Sequence, residues 1–306
     1  MLYGNLINVF SILVYDEIWQ SRFHANRGIV QRLTGVGYML KGRLIGQGRT
    51  AEVFEWNEGK ILKLFRKDFP KIAAENEYKV SMELYKRGVP MPQVFDLLEY
   101  ENRVGIIYER IKGPTMMNLI SRKPWTISKQ AKRLAELHKT IQKNVDFELP
   151  SQKERLKESI ASTELLIEDM KNKIFEVIEK LPSDSILCHG DFHPDNVLIS
   201  EEKVMAIDWM TATRGNPLAD IARTSVMFKF ASLPQEKSYF ERKIINFFRG
   251  KFYSVYIKHY LEISGASIEQ VEQWELPIAA ARLIEWLPNS EKIVLIEFIN
   301  KRINEI

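Results

Sequence analysis

One stretch constrains this chain more than any other: Cys188-His189-Gly190-Asp191-Phe192-His193-Pro194-Asp195-Asn196-Val197-Leu198-Ile199-Ser200, closed by Ala206-Ile207-Asp208-Trp209. Alternating apolar residues lie on either side of a Ser200-Glu201-Glu202-Lys203 turn, so the pattern predicts a loop feeding a short hairpin. Three side chains on it stand at the intervals that metal and proton handling require: Asp191, Asn196 and Asp208. Asp191 is suited to accept a proton from a hydroxyl. Asn196 and Asp208 offer hard oxygens to Mg²⁺, a metal that takes few protein ligands and leaves the rest of its shell to phosphates and water. Singly, each is more readily a turn residue. As a spaced set with strands on both sides they describe a site.

His189-Gly190-Asp191, followed by Asn196 and then Ile207-Asp208-Trp209, resembles the signature of the aminoglycoside phosphotransferase and choline kinase family, small-molecule relatives of the protein kinases. That signature is His-Gly-Asp, four residues, Asn, then an Asp between Ile and an aromatic residue, and it matches without gaps. Protein kinases carry Arg where Gly190 stands and Phe-Gly where this chain has Trp209-Met210, which places the chain on the small-molecule side. The resemblance implies an α+β, bilobal protein-kinase-like fold: a five-stranded antiparallel nucleotide-binding lobe with one helix over 39–111, and a larger, mainly helical lobe over 112–306. It implies ATP and Mg as cofactors, Asp191 as the base, Asn196 and Asp208 as metal ligands, and Asp195 as a substrate-binding residue.

A chain of 306 residues has room for two lobes, and 45% hydrophobic with 27% charged residues is the balance of a folded globular protein rather than a disordered or membrane-embedded one. The net charge of +4 is interleaved rather than gathered into runs, so nothing points to nucleic acid. The single cysteine, Cys188, cannot form an internal disulfide, and a cytoplasmic location is the natural expectation. Its setting, Ile186-Leu187-Cys188, marks it as a small buried hydrophobe. Residues 1–38 match no family element. Leu6, Val9, Phe10, Leu13 and Trp19 suit an amphipathic helix, and the apolar run is too short for a bilayer span. The working protein is expected to begin at Met39, with a docking helix as the alternative.

From Arg43 to Val53 the pattern is strand, glycine-rich turn, strand. Gly46 and Gly48 let backbone come close to phosphates, and Val53 falls where the family covers the nucleotide base. Lys60-Ile61-Leu62-Lys63-Leu64-Phe65 is a strand in which Lys63 alone of the two lysines has apolar neighbours on both sides, and a buried lysine needs a partner or a ligand charge. The family places its phosphate-binding lysine here, with Ile61 roofing the adenine and Lys60 in solvent. Phe69 to Arg87 reads as a helix with Ala73, Glu77, Val80, Ser81 and Leu84 on one face. Glu77 is the acid within that stripe and the expected partner of Lys63, with Glu75 as the alternative. Strands over 93–100 and 103–109 follow, and Tyr108-Glu109-Arg110-Ile111 resembles a hinge whose backbone at Glu109 and Ile111 binds the adenine edge.

Beyond Gly113-Pro114 the periodicity is helical. His138 is expected to be structural, Glu154 to Leu181 a single long helix, and Tyr239 to Ile263 and Ser267 to Trp286 further helices. Asp220, in Gly215-Asn216-Pro217-Leu218-Ala219-Asp220, should by resemblance brace the catalytic loop through backbone hydrogen bonds. The reading is an ATP-dependent kinase acting on a hydroxyl of a small molecule, with choline, ethanolamine, a sugar, an amino-acid alcohol, a thiosugar or an aminoglycoside as acceptor. A Ser/Thr protein kinase lacks support because Asn216-Pro217 follows Asp208 almost at once, without an Ala-Pro-Glu element. A non-catalytic nucleotide-binding module is disfavoured by the intact set Lys63, Asp191, Asn196 and Asp208.

Overall fold

Alternating apolar residues in the first part of the chain become five strands: β1 (Leu44–Gln47), β2 (Ala51–Glu55), β3 (Lys60–Phe65), β4 (Val94–Tyr100) and β5 (Arg103–Glu109). They form one antiparallel sheet in the order β1-β2-β3-β5-β4. The computed structural model describes residues 41–233 and 237–306, so the expectations for the amino-terminal helix and for a start at Met39 lie outside the described residues. Leu62 and Leu64 point to one face of β3 and pack with Phe54 and Ile107 into an apolar cluster flanked by Trp56, Phe95, Leu98 and Tyr100. Period-2 alternation then sends Ile61 and Lys63 to the other face. Lys60, expected in solvent, is half-buried with its ammonium 4.2 Å from the centre of the Phe95 ring.

The single helix of this region, α1 (Lys71–Lys86), buries Ala74, Glu77, Ser81 and Leu84. The buried stripe therefore runs through Ala74 rather than Ala73, and it leaves Glu75 only half-buried. Glu101 and Asn102 join β4 to β5 with φ of 53° and 59°, the paired left-handed conformations of a tight hairpin turn.

The chain continues as α2 (Met116–Arg122), α3 (Ile127–Ile141), α4 (Gln152–Ser162), α5 (Glu168–Lys180), β6 (Ile186–Cys188), β7 (Val197–Ile199), β8 (Val204–Ala206), β9 (Thr213–Gly215), α6 (Pro217–Phe230), α7 (Tyr239–Ser264), α8 (Ile268–Glu272), α9 (Glu275–Ala281) and α10 (Asn289–Ile303). β6 pairs with β9 and β7 with β8. The described residues fall into two compact units, residues 41–113 with Leu198–Met210, and Pro114–Val197 with Thr211–Ile306. Among them no helix is long and apolar enough to cross a membrane.

Two expected helices are broken. Residues 154–181 form α4 and α5 rather than one helix. Thr163 is extended (φ −81°, ψ 134°) and its hydroxyl accepts the Leu165 N–H at 3.3 Å, a side-chain turn that competes with helix continuation. The two halves fold back on each other, with the Lys153 ammonium donating to Leu181 O at 2.5 Å and Lys157 paired to Glu179 at 2.5 Å. Helical spacing persists across the break because each half presents its stripe to the same core. Likewise 267–286 splits into α8, α9 and a 3-10 turn at Arg282–Ile284. Pro277 has no N–H to continue a helix through Gln273, so the chain restarts and takes the proline into the first turn of α9.

Candidate active site

In the first unit, charge gathers around Lys63. Its ammonium donates to Glu77 Oε1 at 2.6 Å and to Asp208 Oδ1 at 2.9 Å. Burial works against the charge on Lys63, but Asp208 and Glu77 together outweigh it and push its pKa up, so the side chain stays an ammonium. Glu77 Oε1 also accepts the Tyr108 hydroxyl at 3.2 Å, and that hydroxyl lies 3.2 Å from Ser81 Oγ. Glu77 is thus held by groups from β3 and β5, whereas no hydrogen bond or ion pair joins Glu75 to Lys63 among the described residues. Asp208 is the most exposed of the three, at 37%, and only its Oδ1 is engaged. Its φ of 67° is an uncommon conformation for a residue with a Cβ, though Asp is among the types that tolerate it.

Val53 lies directly opposite Lys63 in the β2–β3 ladder, and Ile61 precedes Lys63 by two residues, so the three share a face. Gly46 pairs with Val53, and Gly48 N–H closes the turn on Ala51 O at 2.8 Å. The side chain of Arg66 holds that turn from behind, donating to Arg49 O at 2.7 Å and Gly48 O at 2.9 Å. At the end of β5 the Glu109 N–H is spent on Gln93 O at 2.8 Å, and the Arg110 N–H on Gly59 O at 2.8 Å. The Ile111 N–H meets no backbone acceptor among the described residues.

In the second unit, the loop around Asp191 is fixed by one buried carboxylate. Asp220 of α6 is 1% exposed and accepts the His189 N–H at 2.7 Å, the Gly190 N–H at 2.8 Å and His138 Nε2 at 3.0 Å. Burial pushes the Asp220 pKa up, and these donors, His138 first, more than reverse it, so the carboxyl sits below its ordinary range. His138, fully buried on α3, meets the Tyr256 hydroxyl of α7 at 2.8 Å through its other nitrogen. It is structural, and it extends the brace. Gly190 has φ of 77°, and a Cβ there would run into the Thr211 carbonyl. That is why the arginine of protein kinases has no place at this position. Cys188 is fully buried, and burial pushes its thiol pKa well up, so it packs as a hydrophobe.

Asp191 is 30% exposed on this loop. Asn196 Nδ2 donates to its carbonyl at 2.9 Å, His193 Nε2 lies 3.5 Å from Oδ2, and Arg223 lies 3.6 Å from Oδ1. Burial alone would push the Asp191 pKa up, but His193, Arg223 and His189 outweigh it and hold the carboxyl well below the usual range. Because Asn196 spends its amide N–H on Asp191, its Oδ1 is turned away with no protein donor among the described residues. Asp195, in the Pro194–Asn196 turn, meets the Thr115 hydroxyl through its carboxyl, and burial pushes its pKa up against the opposing effects of His193 and Thr115.

Sequence reasoning missed four residues here. Tyr108 was concealed by a strand position that read as packing, and Arg66, just past the end of β3, by looking like an ordinary surface charge. Arg223 follows Asp220 by three residues, one helical turn, and that spacing was its available signal. Glu285, which pairs with Arg223 at 2.7 Å, comes from 62 residues away and leaves no local trace.

Residues 41–250 match the model of APH, the phosphotransferase enzyme family. Acyl-CoA dehydrogenase family member 10 of Mus musculus is 29% identical over 188 residues, which is 52% of this chain and 17% of that protein's length. Among solved structures, a thermostable mutant of the aminoglycoside phosphotransferase APH(4)-Ia in its apo form has TM-score 0.58 and 17% identity, over 88% of this chain and 94% of that one. The same enzyme in a ternary complex with AMP-PNP and hygromycin B has TM-score 0.58 and 16% identity, over 89% and 94%. The amicoumacin kinase hAmiN, in complex with AMP-PNP, Ca²⁺ and Ami, has TM-score 0.53 and 14% identity, over 87% and 88%. The fold is kinase-like, with the expected α+β division into a five-stranded antiparallel sheet and a mainly helical remainder.

Proposed function

The chain belongs to the phosphotransferase enzyme family, and from that premise we propose that it transfers the γ-phosphoryl group of ATP to a hydroxyl of a small molecule. The observation that carries this reading is Asp191, an ionised, partly exposed carboxylate on a loop whose backbone is pinned by Asp220. Such a group orients the acceptor hydroxyl and takes its proton as the new O–P bond forms. Lys63, kept cationic and aimed by Glu77, steadies the nucleotide phosphates. Gly46 and Gly48 support the same reading by what they lack. A Cβ at either position would meet only ordinary contacts, Val53 Cβ at 3.5 Å and Ala51 O at 3.6 Å. The protein therefore has no packing need for glycine there, and a close-lying phosphate supplies one.

Val53 and Ile61 cover the adenine, while the Ile111 N–H and the Glu109 carbonyl meet its edge. The Glu109 N–H, already donated to Gln93, takes no part. Asn196 Oδ1 in the second unit and Asp208 Oδ2 in the first are each a hard oxygen without a protein donor among the described residues, the kind of ligand that Mg²⁺ takes, and the metal when bound would neutralise phosphate charge. Positioning and charge neutralisation then account for most of the acceleration. Asp195, close to the loop, is the candidate substrate contact. A protein-kinase reading is weakened by α6 beginning at Pro217, directly after β9. ADP formation by the purified protein with small alcohols and no protein substrate tests the proposal, and its absence across a broad alcohol panel would reject it.

A further inference from the structure

Charge that is interleaved over the chain as a whole is segregated within the second unit. From Pro114 to Ala135 there are five bases and no acid, and from Lys237 to Leu261 six bases and one acid, an excess well above the +4 of the entire protein. The fold brings these stretches together. α3 packs along α7, with His138 meeting the Tyr256 hydroxyl at 2.8 Å, Glu136 meeting His259 at 3.1 Å, and Ile127 lining one small apolar void with Phe248 and Phe252. Arg122, Lys123, Lys129 and Lys132 of the first stretch are exposed, as is Trp125, two residues before Ile127. On α7 one face stays in solvent. Phe240, Lys243, Phe247, Lys251, Ser254 and Lys258 follow one another at intervals of three and four residues and are all exposed, whereas Ile245, Phe252, Tyr256 and Tyr260 of the opposite face are buried. Tyr239, Phe240 and Phe247 are between 67% and 71% exposed.

The acids that could neutralise this face are engaged. Glu241 accepts the Ser238 N–H at 2.9 Å in the capping box of α7, Glu136 lies on His259, and Glu262 is 3.5 Å from His259 and 4.0 Å from Lys258. Lys251 has no hydrogen bond or ion pair among the described residues, and the Lys243 ammonium has the Tyr239 ring, 4.8 Å away. Lysines alternating with bare aromatic rings suit a surface that offers negative charge and an apolar layer at one level. We propose that the outer face of α7 docks the protein peripherally on a bilayer containing anionic lipids. Phe240 and Phe247 enter the boundary between headgroups and acyl chains, where aromatic rings are favoured. Lys243, Lys251 and Lys258 meet headgroup charge, and the bases of the α3 stretch add to the attraction. A nucleic-acid strand fits less well, because the outside of a helix has no groove to follow a backbone and these cations lack the guanidinium fork that grips phosphate. Arg249 is spent on Ala231 O and on Asn246 at 2.7 Å. The inference is independent of the phosphotransfer reading.

Flotation of the full chain with lipid vesicles reads this directly, using phosphatidylcholine alone and phosphatidylcholine with about one-third phosphatidylserine. The protein should float with the anionic vesicles and not with the neutral ones, and progressively less as salt rises. Lys243→Ala and Lys251→Ala should each weaken the partition about five-fold, the equivalent of one basic residue at an anionic surface. Phe240→Ser and Phe247→Ser should each weaken it about ten-fold, the effect of returning a ring to water. All four side chains face solvent, so the melting temperature should stay where it is. Equal flotation with both vesicle types, flotation with neither, or unchanged flotation of the four variants would each overturn the proposal. In the absence of vesicle binding, retention of a single-stranded oligonucleotide would give the face to nucleic acid instead, and a dimer in sedimentation that Phe247→Ser dissolves would give it to a second copy.

Discussion

Glu77 and Asp220 are both nearly inaccessible carboxylates, yet they organise their units in different ways. Glu77 meets another side chain's charge. Its partner Lys63 is shared with the more exposed Asp208, so a phosphate arriving at Lys63 would replace one anion by another. Asp220 instead meets the backbone, accepting two successive loop N–H groups and a buried histidine. No ligand can take over those bonds. An ion pair between side chains is an arrangement that binding can rewrite, whereas a carboxylate under main-chain donors fixes the shape of the loop before binding.

The comparison breaks most visibly at Asp191, the proposed proton acceptor on the rigid loop. Asp191→Asn keeps the shape and should cut kcat by roughly a thousand-fold, within the range for a lost general base, leaving nucleotide affinity and melting temperature nearly unchanged. Survival of kcat within a few-fold would remove Asp191 as the base. Next in size, Asp220→Ala strands buried donors and should cost about 3–5 kcal/mol of stability by denaturant unfolding. A loss below about 1 kcal/mol, the net worth of one ordinary hydrogen bond, would mean that the loop holds itself.

The exchangeable side of the comparison is sharpened by a double-mutant cycle. Lys63→Ala and Glu77→Ala, read by nucleotide binding, should be non-additive by roughly 1–3 kcal/mol. Simple additivity would return Glu77 to a packing role. The smallest effect concerns acid. Asp220 has a folded pKa below its ordinary 3.8, so its contribution to stability is present above that value and is lost as pH falls through the lower folded pKa. The stability gap between the natural protein and Asp220→Asn should therefore be constant near neutral pH and narrow below about pH 4. A gap that widens in acid would reverse the sign assigned to Asp220.

Much of this was legible because it is local. The strand periods, the turn at Glu101-Asn102 and the choice of Glu77 over Glu75 as the buried acid all follow from spacing that survives in the fold. The bracing role of Asp220 was also anticipated, from its place in the Gly-x-Pro-x-x-Asp pattern. What failed was local in another sense. The helical stripe from Gln152 to Ile178 carries no mark of the chain reversing at Thr163, because both halves face one core. Pro277 was a visible warning that the stretch after Ser267 could not be one helix. Arg223 and Glu285 became intelligible only when segments far apart in sequence were brought together, since a charged residue on a helix surface looks the same whether or not its partner exists.

The brace at Asp220 also bears on when the loop exists at all. Through His138 and Tyr256 it ties the His189 and Gly190 amides to α3, α6 and α7 at once. Those two amides cannot open to solvent by local fraying, because releasing them means separating three helices. In hydrogen–deuterium exchange they should belong with the slowest protons of their unit, exchanging only through its global opening. The loop that carries Asp191 then has no softened intermediate form. It forms with the helices and is lost with them.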